Sequence, residues 1–284
     1  MITTSVGALD YQENDGLVVI DGQATLTDAD TTDFGGGKFL ARLSVGATAN
    51  DRLAIRNEGS GTGQIGVSGT DVTYGGVTIG SFSGGVGSTA LQVTLDNDAT
   101  VLATEALLRN ITYLNDSENP STADRTVEFV VEDSVGVGSV PATKVVKVSA
   151  VNDAPVVVVN TGATVPQGSS LVITTLMFQA TDVDNSVSDL VFELTALPVG
   201  GVLQLSGTTL VSGGTFTQAN IDGNALAYVH NGGDVTSDSF ELQLTDGSGG
   251  VVSGVTFSLV VNELPVITTS VGALDYQEND GLVV

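Results

Sequence analysis

Cysteine is absent from the 284-residue chain, which excludes disulfides, thiolate nucleophiles and Cys-ligated zinc or iron–sulfur centres. Tryptophan is absent as well, and histidine occurs once, as His230. A multi-His metal centre is thereby excluded, and a Ser-His-Asp triad would have to use that one ring. Basic residues are scarce: 8 stand against 33 acidic ones, so the formal net charge is 8 − 33 = −25. Such a chain repels phosphates and carries no Lys/Arg stripe, so nucleic acid is not an expected partner. Long apolar runs are missing too. The longest valine cluster, Val156 to Val159, falls far short of the ~20 residues of a membrane span, so no membrane insertion is expected. The polar, Thr-rich residues after Met1 show no signal peptide.

What is present points to a soluble, β-rich protein. Hydrophobic residues make up 41%, enough to build cores, so the acidity does not imply disorder. Thirty-six glycines exceed the ordinary share of about 7% and signal many turns. The length suits about two domains at roughly 100–200 residues each.

Ile2 to Val19 read ITTSVGALDYQENDGLVV, and Ile267 to Val284 repeat these 18 residues without a difference, at an offset of 267 − 2 = 265. The chain therefore reads as one period of a tandem array plus the start of the next. Met1 stands where Val266 stands in the second copy and reads as an added start residue. The period holds two related modules. Aligning their ends pairs Asp124 with Asp238, Asp133 with Asp246, and Asn152-Asp153 with Asn262-Glu263. This places modules at 1–153 and 154–264, with 265–284 as the first strand of the next repeat. The first module carries an additional Gly-rich stretch, Gly59 to Gly87.

Strand patterns dominate both modules. Thr126 to Val131, Lys144 to Val148, Phe240 to Leu244 and Val255 to Val261 alternate or run apolar, with Gly/Ser/Asp turns between. Short strands with turns about every ten residues predict an all-β sandwich. One helical turn is expected in each module, at Thr104 to Asn110 and at Thr217 to Gly223.

Phe216 to Asp222 (FTQANID), Ala227 to Asn231 (AYVHN), Ser237 to Phe240 (SDSF) and Thr245 to Gly247 (TDG) carry a family likeness. They resemble the chondroitin-sulfate-proteoglycan type of cadherin-like repeat. The first module is similar to another bacterial cadherin-like module through Tyr11 to Asp15 (YQEND), Asp28 to Asp30 (DAD), Ser117 to Arg125 (SENPSTADR) and Val151 to Pro155 (VNDAP). Such modules fill the repeat regions of giant bacterial adhesins, often type I-secreted RTX proteins. The resemblance implies two tandem cadherin-like/immunoglobulin-like Greek-key β-sandwiches with Ca²⁺ at the module junctions.

The acidic residues suit that reading on their own chemistry, because calcium takes six to eight hard oxygen ligands converging from several segments. In a seven-strand Greek key, the loops after the second and sixth strands lie at the end where the preceding linker arrives. That gathers Asp182, Asp184, Asp246, Asn152 and Asp153, with Glu13 and Asp124 from the opposite end of the first module. At the second junction Asp238, Asn262 and Glu263 are the counterparts, with Gln167 near the position of Glu13, so fewer negative ligands are expected there. Asp28, Asp30, Asp33 and Asp133 would face the preceding repeat.

Other motifs read as structural. A single Asp in a turn commonly caps the backbone. His230 reads as a strand-end surface residue, and Asp246 to Gly250 (DGSGG) lacks the Lys and helix of a phosphate loop. Asn110-Ile-Thr112 and Asn115-Asp-Ser117 fit glycosylation sequons.

The leading expectation is a calcium-rigidified extender repeat of a secreted or cell-surface bacterial adhesin, projecting a distal binding domain. Its partners are neighbouring repeats, with head-to-tail strand exchange through 267–284 as a second mode. The competing expectation is recognition of a glycan or protein, for which the Gly-rich stretch is the one candidate region. An enzyme would need a nucleophile–base pair or a carboxylate dyad in a cleft. The acids here sit in turns and linkers, so no catalysis is expected.

Overall fold

A computed structural model describes residues 1–29, 31–263 and 265. Asp30 and the duplicated segment 267–284 lie outside the described residues. The chain is all-β and divides after Asp153 into two compact units.

The first unit begins with β1 (Ile2–Thr3), β2 (Leu9–Gln12), β3 (Val18–Val19), β4 (Thr25–Leu26), β5 (Lys38–Val45) and β6 (Asp51–Ile55). It continues with β7 (Ile65–Ser68), β8 (Asp71–Tyr74), β9 (Val77–Ser83), β10 (Leu91–Leu95) and helix α1 (Val101–Leu108). β11 (Ile111–Asn115), β12 (Arg125–Glu132) and β13 (Ala142–Ser149) complete it. The large sheet runs β2, β13, β12, β5, β10, β9, β8, β7, a second one β3, β11, β6, and β1 pairs with β4. Period-2 alternation sets the inward faces. In β12, Arg125, Val127, Phe129 and Val131 are buried; in β6, Asp51, Leu53 and Ile55. An ion pair therefore sits among the core residues.

The Gly-rich stretch builds β7 to β9, which widen the large sheet beyond β10. Gly80 is needed there: at φ 155° its Cβ would lie 2.2 Å from the Thr94 carbonyl oxygen of β10. The outer edge of β7 is closed by side chains. Asn57 accepts from Val67 N–H and donates to its carbonyl (both 3.2 Å), while Glu58 accepts from Ile65 N–H (3.2 Å). These bonds occupy groups that would otherwise template another strand.

The second unit contains β14 (Val156–Asn160), β15 (Ala163–Pro166), β16 (Ser170–Val172), β17 (Phe178–Thr181), β18 (Val191–Ala196) and β19 (Gly201–Leu205). β20 (Thr208–Thr209), β21 (Thr215–Thr217), α2 (Gln218–Asp222), β22 (Leu226–His230), β23 (Ser237–Thr245) and β24 (Val251–Asn262) follow. Its two larger sheets run β15, β24, β23, β18, β21 and β16, β22, β19, β20, and β14 pairs with β17. Phenylalanines fill the core: Phe192 stacks on Phe216 at 5.1 Å and Phe240 on Phe257 at 5.2 Å.

Both helices exist, with one shift. Thr217 caps α2, and the Asn220 side chain returns the bond to the Thr217 N–H. In α1 the cap is Thr100, whose hydroxyl accepts from Ala103 N–H at 3.1 Å. Thr104, expected at the start, is buried in the first turn instead. The Thr100 hydroxyl, four residues upstream, takes the cap because it satisfies the Ala103 N–H, which has no acceptor within the helix.

The two units share their wiring, so strand registers equate residues. Val146 pairs with Leu9 and Arg125; Leu259 pairs with Ala163 and Asp238. Arg125 therefore occupies the place of Asp238. Glu13 N–H donates to the Ser149 carbonyl and Gln167 N–H to that of Asn262, both at 2.9 Å, which equates Glu13 with Gln167.

Candidate metal centre

Glu13 closes β2 and is buried at 4% exposure. Its Oε2 accepts from Val151 N–H at 2.7 Å, which fastens the segment after β13 to the end of β2. Oxygens of Glu13, Glu118 and Asp153 lie within 4.8 Å of one another. Among the described residues, no other three Asp, Glu or His side chains converge this closely. Carboxylates at such separation repel unless a cation or a proton neutralises them. Glu118, from the loop between β11 and β12, is absent from the sequence-derived set. The SENP motif that contains it was the available signal.

Asp124, expected in this cluster, is exposed at the foot of β12. The next residue, Arg125, takes the inward place and is fully buried. Arg125 Nη1 donates to the Ser121 carbonyl at 2.6 Å and to that of Ala123, so it holds the loop that carries Glu118. Its Nε faces both Asp51 oxygens at 3.4 Å. Asp51 also accepts from Tyr113 O–H (2.5 Å), Asn115 Nδ2 (2.6 Å) and Thr48 N–H (2.6 Å). Burial alone would raise the Asp51 carboxyl, but these donors and the Arg125 charge outweigh it and hold it below the usual carboxylate range. Burial, followed by the Asp51 contact, raises the Tyr113 hydroxyl. The Tyr11 hydroxyl donates to the Asn115 carbonyl at 3.2 Å, extending the buried network towards Glu13.

The second unit assembles a different oxygen set. Asp182 Oδ1 accepts from Asp184 N–H (2.8 Å) and Asn185 N–H (3.0 Å). Asp182 Oδ2 and Asn185 Oδ1 are buried acceptors with no hydrogen-bond donor. Asn185 Nδ2 reaches Ser248 Oγ at 3.4 Å, joining this loop to the one headed by Asp246. Asp246, 2% exposed, accepts from Ser248 (2.7 Å), Gly249 and Gly250 N–H (both 3.0 Å). Two buried oxygens without donors are costly alone and suit a hard cation. Asn185 is a second residue missing from the sequence-derived set, although it ends the DVDN run.

The remaining candidates have their own places. Asp133 is the counterpart of Asp246 and caps its turn, accepting from Val135 (3.0 Å) and Val137 N–H (2.9 Å). Asp28 and Asp133 line one groove of about 390 Å³ with Phe34, while Asp33 is exposed and accepts from Gly35 N–H at 3.2 Å. Asp238 is occupied by four donors: Val199, Gly200 and Ser239 N–H, each at 2.9 Å, and Tyr228 O–H at 2.7 Å. Gln167 Nε2 donates to Asp234 Oδ1 at 3.0 Å and to the Gly232 and Gly233 carbonyls at 3.2 Å. An amide therefore meets an acid there, where the first unit sets acid against acid.

Asn152 is exposed and its Nδ2 donates to the Asp153 carbonyl at 2.8 Å. Asn262 and Glu263 are exposed as well. Because Ser149 is the register equivalent of Asn262, the first linker is three residues longer before its Asn-acid pair. His230 is buried at 3%, not on the surface as its strand-end position suggested. Inward parity at the end of β22 puts it there, and its Nδ1 accepts from Gly168 and Gly232 N–H, both at 3.0 Å. Asn110 and Asn115 are likewise buried, so neither presents its sequon amide to solvent.

Charge is divided unevenly. All 8 basic residues precede residue 154, giving 8 − 20 = −12 for residues 1–153 and 0 − 13 = −13 for residues 154–284. Within the second unit, therefore, no basic side chain is available to pair with a carboxylate.

Residues 155–261 match the family model described as cadherin-like. Extracellular matrix protein 3 of Lytechinus variegatus is 32% identical over 130 residues, 45% of this chain and 4% of that protein. Human FRAS1-related extracellular matrix protein 2 is 33% identical over 125 residues, 43% of this chain and 4% of that protein. Mouse chondroitin sulfate proteoglycan 4 is 31% identical over 101 residues, 36% of this chain and 4% of that protein. The chain thus spans a small fraction of each relative's length. Residues 155–261 thus form a cadherin-like domain, and less than half of the chain is related in sequence to extracellular matrix proteins.

Proposed function

We propose that this chain is a calcium-rigidified extender segment of a secreted or cell-surface bacterial adhesin of the type I-secreted RTX kind, whose modules project a distal binding domain. The observation that carries the reading is the convergence of Glu13, Glu118 and Asp153 within 4.8 Å. Three carboxylates supply hard oxygens, and carbonyls and waters would complete the six to eight that calcium takes. Asp182, Asp184, Asn185 and Asp246 form the proposed set of the second unit. Bound calcium neutralises groups that otherwise repel, and so stiffens the links between successive modules. The extracellular assignment draws support from the named locations of the relatives and from the charge: 33 acids against 8 bases suit a calcium-rich exterior. The bacterial assignment rests on the first module's resemblance and on the 265-residue period.

Calorimetric titration of calcium into EDTA-stripped protein tests the binding. Saturable binding is expected, weakened about tenfold or more by Glu118→Gln, since bonds to a charged group contribute about 1.5–3 kcal/mol. Asp124→Asn should leave the affinity unchanged. Equal losses in the two variants would remove Glu118 from the site.

Thermal stability should follow. With calcium about a hundredfold above the dissociation constant, linkage adds about 2.7 kcal/mol. For units of this size that raises the melting temperature on the order of 5–10 °C. Identical melting curves in calcium and in EDTA would overturn the calcium reading.

A further inference from the structure

Arg56 and Arg109, two of the 8 basic residues, line one cleft of about 290 Å³ in the first unit, beside Tyr74 of the Gly-rich strands. Arg56 Nε donates to Asn110 Oδ1 and its Nη2 pairs with Glu58 Oε1, both at 2.7 Å. Arg109 Nε donates to the Ala24 carbonyl at 2.7 Å and its Nη2 pairs with Glu105 Oε1 at 2.8 Å. Each guanidinium is thus oriented through Nε and Nη2, and its Nη1 hydrogens remain without a partner among the described residues. The neighbouring carboxylates are already engaged on both oxygens. Glu58 Oε2 accepts from Ile65 N–H and Asn110 Nδ2, both at 3.2 Å, and Glu105 Oε2 accepts from Leu26 N–H at 2.9 Å. In a chain otherwise rich in acceptors, this cleft offers donors.

We infer that the cleft binds the carboxylate of an acid sugar, a hexuronate unit within an extended glycan. The Nη1 group left on each of the two guanidiniums donates to a carboxylate oxygen through a charge-assisted hydrogen bond. The Tyr74 ring supplies an amphipathic wall, apolar across its face and polar at its tip. The volume lies near the small end of ligand sites, about 300 Å³, which suits one sugar unit. A peptide partner is disfavoured because the adjacent sheet edge, β7, is closed by Asn57 and Glu58 and offers no ladder for strand addition. The inference is independent of calcium.

Amide spectra of the full chain titrated with glucuronic acid, glucose and a short Asp/Glu peptide test it. Glucuronic acid should cause saturable shifts at Gly63, Tyr74 and Ala106 at millimolar concentration, with none from glucose and weaker ones from the peptide. Arg109→Lys keeps a cation opposite Glu105 but loses the Nη1 donor and the bond to the Ala24 carbonyl, so the affinity should fall about tenfold while the first unit stays folded with a slightly lower melting temperature. Tyr74→Ala, on an outer strand, should also weaken binding. Absence of saturable shifts with glucuronic acid, equal binding of glucose, tighter binding of the peptide, or wild-type affinity in Arg109→Lys would each overturn the assignment.

Discussion

Asp51→Ala is expected to lower the stability of the first unit by about 3–5 kcal/mol, the cost of leaving a buried ion-pair partner without its counter-charge. Asp51 and Arg125 are both fully buried, and the substitution also removes the acceptor of Tyr113 and Asn115. Melting of that unit should drop by about 10 °C or more, while the transition of the second unit stays in place. The double variant Asp51→Asn with Arg125→Met should recover part of the loss, because it buries no charge and keeps an acceptor for Tyr113 and Asn115. Asp124→Ala, at an exposed position, should stay within about 0.5 kcal/mol of the parent. Similar melting of the Asp51 and Asp124 variants would show that the buried pair contributes nothing.

The same carboxylate sets an acid limit. Asp51 is held below the usual range in the folded state. Asp21 is too: burial pushes it up, but hydrogen bonds from Ser5 and Gln23 and the Lys144 charge outweigh that. A depressed folded-state value means that the stabilisation is fully present above the unfolded value of about 3.9. It is lost as pH falls through the lower folded value. The first unit should therefore lose stability steeply below about pH 4, and Asp51→Ala should flatten that slope. An unchanged slope in the variant would assign the acid sensitivity elsewhere.

Much of the fold is readable in the sequence because alternation and turn residues are local signals. The runs around Phe129, Val146, Leu242 and Phe257 become strands with their apolar residues inward. The candidate site is less readable, since it depends on register. Asp124 lies just before β12 whereas Asp238 lies inside β23, and it is Arg125 that shares the position of Asp238. A slip of one residue moves a side chain to the other face, which is why Asp124 is outside and Arg125 inside. The same register explains how both units satisfy an equivalent tyrosine. Tyr113 donates to Asp51 of β6, whereas Tyr228 donates to Asp238 of β23. Gly201 stands at the Asp51 position, where a Cβ would lie 2.7 Å from the Tyr228 hydroxyl. Glu118 was hidden for another reason. It lies about a hundred residues from Glu13 in sequence, and only the fold of its loop, held by Arg125, brings the two together.

Deleting residues 1–16 should turn the monomer into open chains. In the first unit this segment supplies β1, paired with β4, and β2, paired in parallel with β13. Ile2 and Tyr11 are buried at 5% and 1% exposure. Ser5 is clamped by Asp21 (2.7 and 2.9 Å) and by Lys144 Nζ, at 2.7 Å from its hydroxyl. The copy at 267–284 repeats all these residues, with Ile267, Ser270 and Tyr276 at the same 265-residue offset. While the resident segment is present, its effective concentration, on the order of millimolar, excludes the copy of a second molecule at micromolar concentration. Removal exposes the β13 edge, the Ile2 and Tyr11 pockets and the Asp21–Lys144 clamp together. The copy from another chain then adds its strand there, and a head-to-tail contact that does not close grows linearly. Light scattering should show a mass that rises with protein concentration. Excess synthetic peptide of residues 2–19 should fill the slot and return the chains to monomers. A folded variant that stays monomeric, or chains that the peptide does not dissolve, would mean that the duplicated strand does not take this slot.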